Sequence, residues 1–214
     1  MDNPAPPQHD HELSEEEFQS IYGPVQPLSP AEASVLLAGA PFRWWIVGGW
    51  STELGLTPRR EHTDLELSVA REDLDALRER LVDYHFWDTH AGTLTFLKPG
   101  MGIPGEDHEQ VWIRRDASSP WILDVLLTPV DGDTWIYKRE RRLTRPIGEV
   151  VIKRDGVPFQ RPEIALLFKA RRRAARDEQD FAAIVPGLSS DERSWLRDAI
   201  ALTEPADNPW LARL

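Results

Sequence analysis

Phe42-Arg43-Trp44-Trp45-Ile46-Val47 runs directly into Gly48-Gly49-Trp50-Ser51, and after a loop the chain reads Asp64-Leu65-Glu66-Leu67-Ser68-Val69. The first run is aromatic and β-branched, the composition of a buried strand. Paired glycines at its end let backbone approach an anion closely, and residues 50–54 read as a short helix opening beyond them. The second run alternates polar and apolar, so Asp64 and Glu66 project from one face while Leu65, Leu67 and Val69 turn to the core. Carboxylates this close repel, a cost that a divalent cation removes, and hard oxygen ligands on a rigid element suit Mg²⁺. An acidic outer strand face gives the same two letters. The ordered set of strand, Gly-Gly, short helix, basic loop and D-x-E is far rarer than any of its parts.

A third acid is expected on a neighbouring strand. Asp124 stands inside the otherwise apolar Trp121-Ile122-Leu123-Asp124-Val125-Leu126-Leu127, where a carboxylate needs a metal, an Arg or a hydroxyl as partner. Asp116, Glu106 and Glu109 compete with it from loops. Ser51 could add a hydroxyl to a phosphate. Arg59, Arg60 and His62 precede the acids and either face phosphate oxygens or remain solvated loop charges.

Farther out, Ser29-Pro30-Ala31-Glu32 predicts a capped helix to about Leu37. Glu72 to Leu81 has helical spacing, and short strands are expected near Tyr84–Thr89, Thr93–Leu97, Gln110–Arg114, Trp121–Leu127, Thr134–Tyr137 and Glu149–Lys153. From Pro162 onward the pattern is helical: Pro162–Arg173, Asp177–Val185 and Arg193–Leu202. The predicted class is α+β, with a mixed sheet flanked by helices. Residues 1–25 read as a mobile acidic tail, 26–158 as the α+β domain and 159–214 as a helical subdomain. His9-Asp10-His11-Glu12 is read as part of that solvated leader rather than as a metal site.

The chain has 214 residues, enough for one domain that folds without disulfides, and no cysteine, which excludes thiolate metal sites and cysteine nucleophiles. Net charge is −11, but residues 1–20 hold six acids and no Lys or Arg, leaving 30 acids against 25 bases in the other 194 residues. That nearly balanced body lacks the basic surface that nucleic acid requires. No apolar run spans a bilayer and no basic-then-apolar leader opens the sequence, so a cytoplasmic location and no membrane partner are expected. Trp44, Trp45 and Trp195 read as core, whereas Trp50, Trp87, Trp112 and Trp135 could line a pocket. His85 and His90 read as structural.

Ile46-Val47-Gly48-Gly49-Trp50 followed by Arg60-Glu61-His62-Thr63-Asp64-Leu65-Glu66-Leu67 resembles the DNA polymerase β-type nucleotidyltransferase superfamily, in its aminoglycoside and lincosamide nucleotidyltransferase branch. Gly156-Val157-Pro158, the helical stretch Arg161 to Ala170, Arg176-Asp177-Glu178-Gln179-Asp180-Phe181 and Pro209-Trp210-Leu211 are similar to that branch's C-terminal part, so the resemblance covers roughly residues 30–214. It implies a nucleotidyltransferase-like fold and transfer of AMP from Mg·ATP to a hydroxyl of a small polar acceptor, with an aminoglycoside-like compound the candidate. By position it implies Asp64 and Glu66 as Mg²⁺ ligands and Gly48, Gly49, Ser51 and Arg60 around the triphosphate. Asp124 is then a second-metal ligand or general base, and Lys169 either lies near the phosphates or carries surface charge. Asp177 and Asp180 are expected to be structural, ion-paired with neighbouring Arg. The acidic loop Glu106-Asp107-His108-Glu109 is one place where an amine-bearing acceptor could be recognised. A protein or tRNA acceptor, and a non-catalytic nucleotide-binding module, are the alternatives; intact paired acids argue against the last. Oligomeric state is not legible.

Overall fold

The apolar face of Leu65, Leu67 and Val69 and the apolar faces of its neighbours are satisfied by one large mixed sheet. The structure, a computed structural model, describes residues 14–54 and 61–214. In chain order the elements are α1 (Glu15–Tyr22), α2 (Pro30–Leu36), β1 (Trp44–Ile46), α3 (Gly48–Ser51), β2 (Glu66–Ala70) and α4 (Leu74–Arg80). Then come β3 (His85–His90), β4 (Thr93–Phe96), β5 (Gln110–Arg114), β6 (Trp121–Thr128), β7 (Val130–Asp131), β8 (Thr134–Ile136), β9 (Thr144–Pro146), β10 (Val151–Arg154) and β11 (Val157–Gln160). The chain closes with α5 (Pro162–Lys169), α6 (Ala175–Ile184) and α7 (Ser190–Thr203).

Eight strands form one sheet in the order β10-β11-β1-β2-β6-β5-β3-β4, and β7-β8-β9 form a small second sheet. The β1–β11 and β2–β6 pairs are parallel and the other pairs of the large sheet antiparallel. The class is therefore α+β with a mixed sheet, as the sequence implies.

Each face of the sheet has its own cover. Leu65, Leu67, Val69, Val111 and Val125 pack with Ala33 and Leu37 at the end of α2 and with Leu74 and Leu77 of α4. The opposite face at β1 presents Trp45 and Val47 to a second cluster holding Ile164 and Leu167 of α5, Phe181 of α6 and Leu196 and Ile200 of α7. Trp135, Tyr137 and Val150 belong to this second cluster, so the C-terminal helices share their core with the small sheet and its flank. Trp45 and Trp135 are thus core residues, and the strand carrying Trp45 is buried on both faces because layers lie on both sides of it. No helix among the described residues is long and apolar enough to cross a membrane.

The N-terminal tail needs correction. Residues 15–22 form a helix, closed by a capping box in which Ser14 accepts from the Glu17 amide and Glu17 accepts from the Ser14 amide. Phe18 and Tyr22, one turn apart, lay their rings on Trp112 at 5.6 and 5.8 Å between centroids. The segment behind the helix is stitched to β6 by Trp121 N to Pro24 O and Gln26 N to Trp121 O, both 2.9 Å. The acidic composition hid this because one turn of aromatic spacing is enough to dock a helix on a sheet. His9-Asp10-His11-Glu12 lies outside the described residues.

The helix expected over Pro162–Arg173 stops at Lys169, and Arg173 adopts a φ of 48° before α6 begins. β11 was not anticipated; its Phe159 is buried against Ile46 of β1, and the strand takes its place between β10 and β1.

Leu77 is fully buried between α4 and the sheet, whereas Val82 is 80% exposed. Leu77→Ala is expected to lower unfolding free energy by about 2–5 kcal/mol and Val82→Ala by no more than about 0.5 kcal/mol, measured by urea titration.

Candidate functional site

Parallel pairing of β2 with β6 sets Glu66 directly beside Asp124, and antiparallel pairing of β6 with β5 sets Asp124 beside Trp112. Residues opposite one another in a ladder share a face, so Glu66, Asp124 and Trp112 form one row across the sheet. Asp64 precedes β2 by two residues and adds the third acid on the same side. Sequence alternation placed Asp64 within the strand; the strand begins at Glu66, though Asp124 N still donates to Leu65 O at 3.0 Å and keeps the register.

The three acids face one another electrostatically. Asp124 has its carboxyl raised well above the usual carboxylate range, first by burial, then by the charge of Glu66 and also by that of Asp64. Gln110 Nε2 donates to Asp124 Oδ2 at 2.5 Å, and hydrogen bonding from Gln110 and then from Trp112 opposes that rise, while Asp124 Oδ1 is sealed from solvent. Three carboxylates on one side of the sheet repel one another, a cost that a cation would relieve, although their oxygens do not all lie within 4.8 Å of one another. Mg²⁺ suits the hard carboxylate oxygens of Asp64 and Glu66 by its chemistry.

The glycine turn adjoins the acids. Val47 N donates to Glu66 O at 3.0 Å, which ties the end of β1 to the start of β2. Gly48 has a φ of 62°, and a Cβ there would overlap Glu66 Oε2 and lie 2.6 Å from its Cδ. The bare glycine is thus what lets the carboxylate lie against the backbone. Ser51 does not face the site: it is fully buried and its Oγ donates to Gly48 O at 2.8 Å, closing the turn from behind. His62 is also turned away. Its ring stacks on Trp50 at 4.3 Å and its Nε2 lies 3.0 Å from Glu53 Oε2, with both side chains almost wholly buried. That pair fastens the chain before Asp64 onto the glycine helix. Arg59 and Arg60 lie outside the described residues.

Two cavities meet at the acids. The smaller, of about 370 Å³, is lined by Gly48, Gly49, Asp64 and Glu66 on one side and by Lys138, Arg139, Lys169, Arg172 and Arg176 on the other. The larger, of about 620 Å³, is lined by Asp64, Asp124 and a set of aromatic side chains. Thr63, Asp64, Arg172 and Arg176 line both. Lys169 reaches the cavity wall, but its ammonium is shared between Asp177 Oδ1 and Asp180 Oδ2, each at 3.1 Å. Asp177 and Asp180 are therefore structural, as expected, though Lys169 is their main partner and Arg172 only a distant one at 3.8 Å from Asp177. Asp177 also accepts from Ala174 N at 3.0 Å and so starts α6. Lys138, Arg139, Arg172 and Arg176 were not singled out from the sequence. A chain dense in Arg gives no signal for which of them a distant helix turns inward.

The acidic loop is engaged elsewhere. His108 Nδ1 lies 2.5 Å from Asp88 Oδ2, Asp107 lies 3.6 Å from His90, and Lys138 donates to Glu109 at 2.7 Å. Arg71 holds the loop by its Gly105 and His108 carbonyls. None of the four loop residues lines either cavity. His90, Asp107 and His108 form the group that could hold a metal by proximity among the described residues, away from Asp64 and Glu66. Of the tryptophans proposed as pocket residues, Trp112 lines the larger cavity, and Trp121, which the sequence did not suggest, lines it too.

No family model matches the sequence, and no curated protein matches it. Among solved structures the chain is similar to the crystal structure of ANT(2'')-Ia in complex with adenylyl-2''-tobramycin, at a TM-score of 0.43 and 12% identity over 86% of this chain and 94% of that one. It is also similar to the solution structure of the antibiotic-resistance factor ANT(2'')-Ia, at 0.39 and 11% over 87% and 91%.

Gly48→Ala is expected to cost about 1–2 kcal/mol from the left-handed backbone alone, because the flexible Glu66 side chain can swing away from the new methyl. In thermal denaturation Glu66→Ala added to Gly48→Ala should recover little of that loss.

Proposed function

We propose that this chain is a nucleotidyltransferase that moves AMP from Mg·ATP to a hydroxyl of a small acceptor. The observation that carries the reading is the row of Glu66 and Asp124, with Asp64 beside them, between a glycine turn and a wall of cations. That pairing of acids with facing bases suits a ligand that brings both a metal and several phosphates.

Asp64 and Glu66 are the residues that would hold Mg²⁺, with Asp124 beside them as the proton acceptor. When bound, the ion neutralises charge on the phosphate oxygens and on the departing pyrophosphate. The backbone at Gly48 and Gly49 leaves room for the triphosphate, and Lys138, Arg139, Arg172 and Arg176 supply charge-assisted donors from the far wall. Lys169, compensated by two carboxylates, keeps α6 and its arginine in place while standing at the same wall.

The acceptor hydroxyl enters from the larger cavity, where Asp124 lies. Its oxygen bonds the α-phosphorus as the bond from that phosphorus to the bridging oxygen of pyrophosphate breaks. The hydroxyl proton passes to Asp124, whose burial and acidic neighbours raise its affinity for a proton and whose orientation Gln110 fixes. The resemblance in the motifs Gly48-Gly49 and Asp64-Leu65-Glu66 supports the same assignment.

ATP with Mg²⁺ should raise the melting temperature of the wild-type chain, and Asp64→Ala should abolish that rise. Asp124→Asn should keep most of the shift yet lower AMP transfer by about 10²–10⁴-fold, read as pyrophosphate release. No shift with millimolar Mg·ATP, or full transfer by Asp124→Asn, would contradict the reading.

A further inference from the structure

The larger cavity is built largely from aromatic rings. Phe18 and Tyr22 of α1 and Trp112 and Trp121 of the sheet form its wall, joined by Ile122 and Pro27. The rings brace one another: Trp112 packs against Trp121 at 5.5 Å and against Tyr22 edge-on at 5.8 Å, and Phe18 packs on Tyr22 at 4.9 Å. Trp121 Nε1 donates to Tyr22 O at 2.7 Å, which fixes α1 against the sheet. The wall is therefore preformed, and its volume suits a drug-sized molecule.

The acids lining this cavity are Asp64 and Asp124, the two already assigned to metal and proton transfer. Arg172 and Arg176, which also line it, are those assigned to the phosphates. Among the described residues lining this cavity, no carboxylate is left over to meet the ammonium groups of a polyamine. The acidic loop that could have received amines is held away by Arg71, Lys138 and the buried Asp88. Flat aromatic walls instead favour a body with its own apolar or π face.

We infer that the acceptor is an uncharged or weakly charged molecule that carries its reactive hydroxyl beside a flat apolar body, an aryl glycoside being the simplest example. The body lies among Phe18, Tyr22, Trp112 and Trp121, and the hydroxyl points to Asp124. This rests on the nucleotidyl-transfer reading and narrows its acceptor class.

Phenyl β-D-glucoside, methyl β-D-glucoside and tobramycin are the probes, titrated by saturation-transfer NMR into the full chain with Mg²⁺ and α,β-methylene-ATP. The phenyl glycoside should bind at least tenfold tighter than the methyl glycoside, and tobramycin no tighter than the methyl glycoside. Trp112→Ala should erase the phenyl preference. Phe18→Ala, on the docked helix, should weaken the preference as well while leaving nucleotide affinity within threefold, and serves if the tryptophan variant does not fold. Equal binding of the two glycosides, or tighter binding of tobramycin, with nucleotide binding intact, overturns the inference and leaves the transferase reading standing. A tenfold loss of nucleotide affinity in a folded Phe18→Ala overturns it too, because the cavity would then hold the nucleobase. Failure of the wild-type chain to bind nucleotide overturns both.

Discussion

Repulsion among three carboxylates, enforced by strand register, is the constraint on which the rest of the structure depends. Glu66 and Asp124 are adjacent because β2 and β6 run parallel with that pairing, and a slip of one residue would send Glu66 into the core and Leu67 to the cleft. Leu65, Leu67, Val69, Val125 and Leu127 are buried on the other face and make such a slip prohibitive. Apolar burial on one side of the sheet thus holds unfavourable charge on the other. The protein keeps an electrostatic cost in its native state that a bound cation would relieve.

The cleft owes its shape to uneven cover. At β1 the sheet is sandwiched, with Trp45 and Val47 under the C-terminal helices. At β6 and β5 the same face is left to the two cavities, closed in part by α1. The break between α5 and α6 matters for this: Lys169, the left-handed Arg173 and the Asp177 cap turn the chain so that Arg172 and Arg176 line both cavities. A continuous helix from Pro162 would carry successive arginines around its axis rather than gather them at one wall.

Much of this was legible in the sequence, for physical reasons. Alternation over Asp64–Val69 reports a half-buried strand because side chains in a strand have a period of two, and an acid in the apolar Trp121–Leu127 run demands a partner. The Ser29–Glu32 capping box announced α2 in the same way. The Ser14–Glu17 box and the Phe18–Tyr22 spacing gave the same local signal for α1, but six acids in the first twenty residues outweighed it in the reading. Ser51 and His62 carried donor chemistry at the right place in the chain and yet turned inward, to Gly48 O and Glu53. The direction of a single side chain in a turn depends on contacts that spacing does not encode. The aromatic cavity was illegible for a related reason: Phe18 and Tyr22 stand about a hundred residues before Trp112 and Trp121, and only the docking of α1 on β5 and β6 gathers them.

The most direct measurement of the central claim is Mn²⁺ electron paramagnetic resonance on the wild-type chain and on Glu66→Gln, each with α,β-methylene-ATP. One or two Mn²⁺ ions per chain should become bound when nucleotide is present, with binding falling at least tenfold in Glu66→Gln while the variant stays folded. Equal Mn²⁺ binding by the two proteins, or nucleotide binding that is as tight in excess chelator, would contradict it.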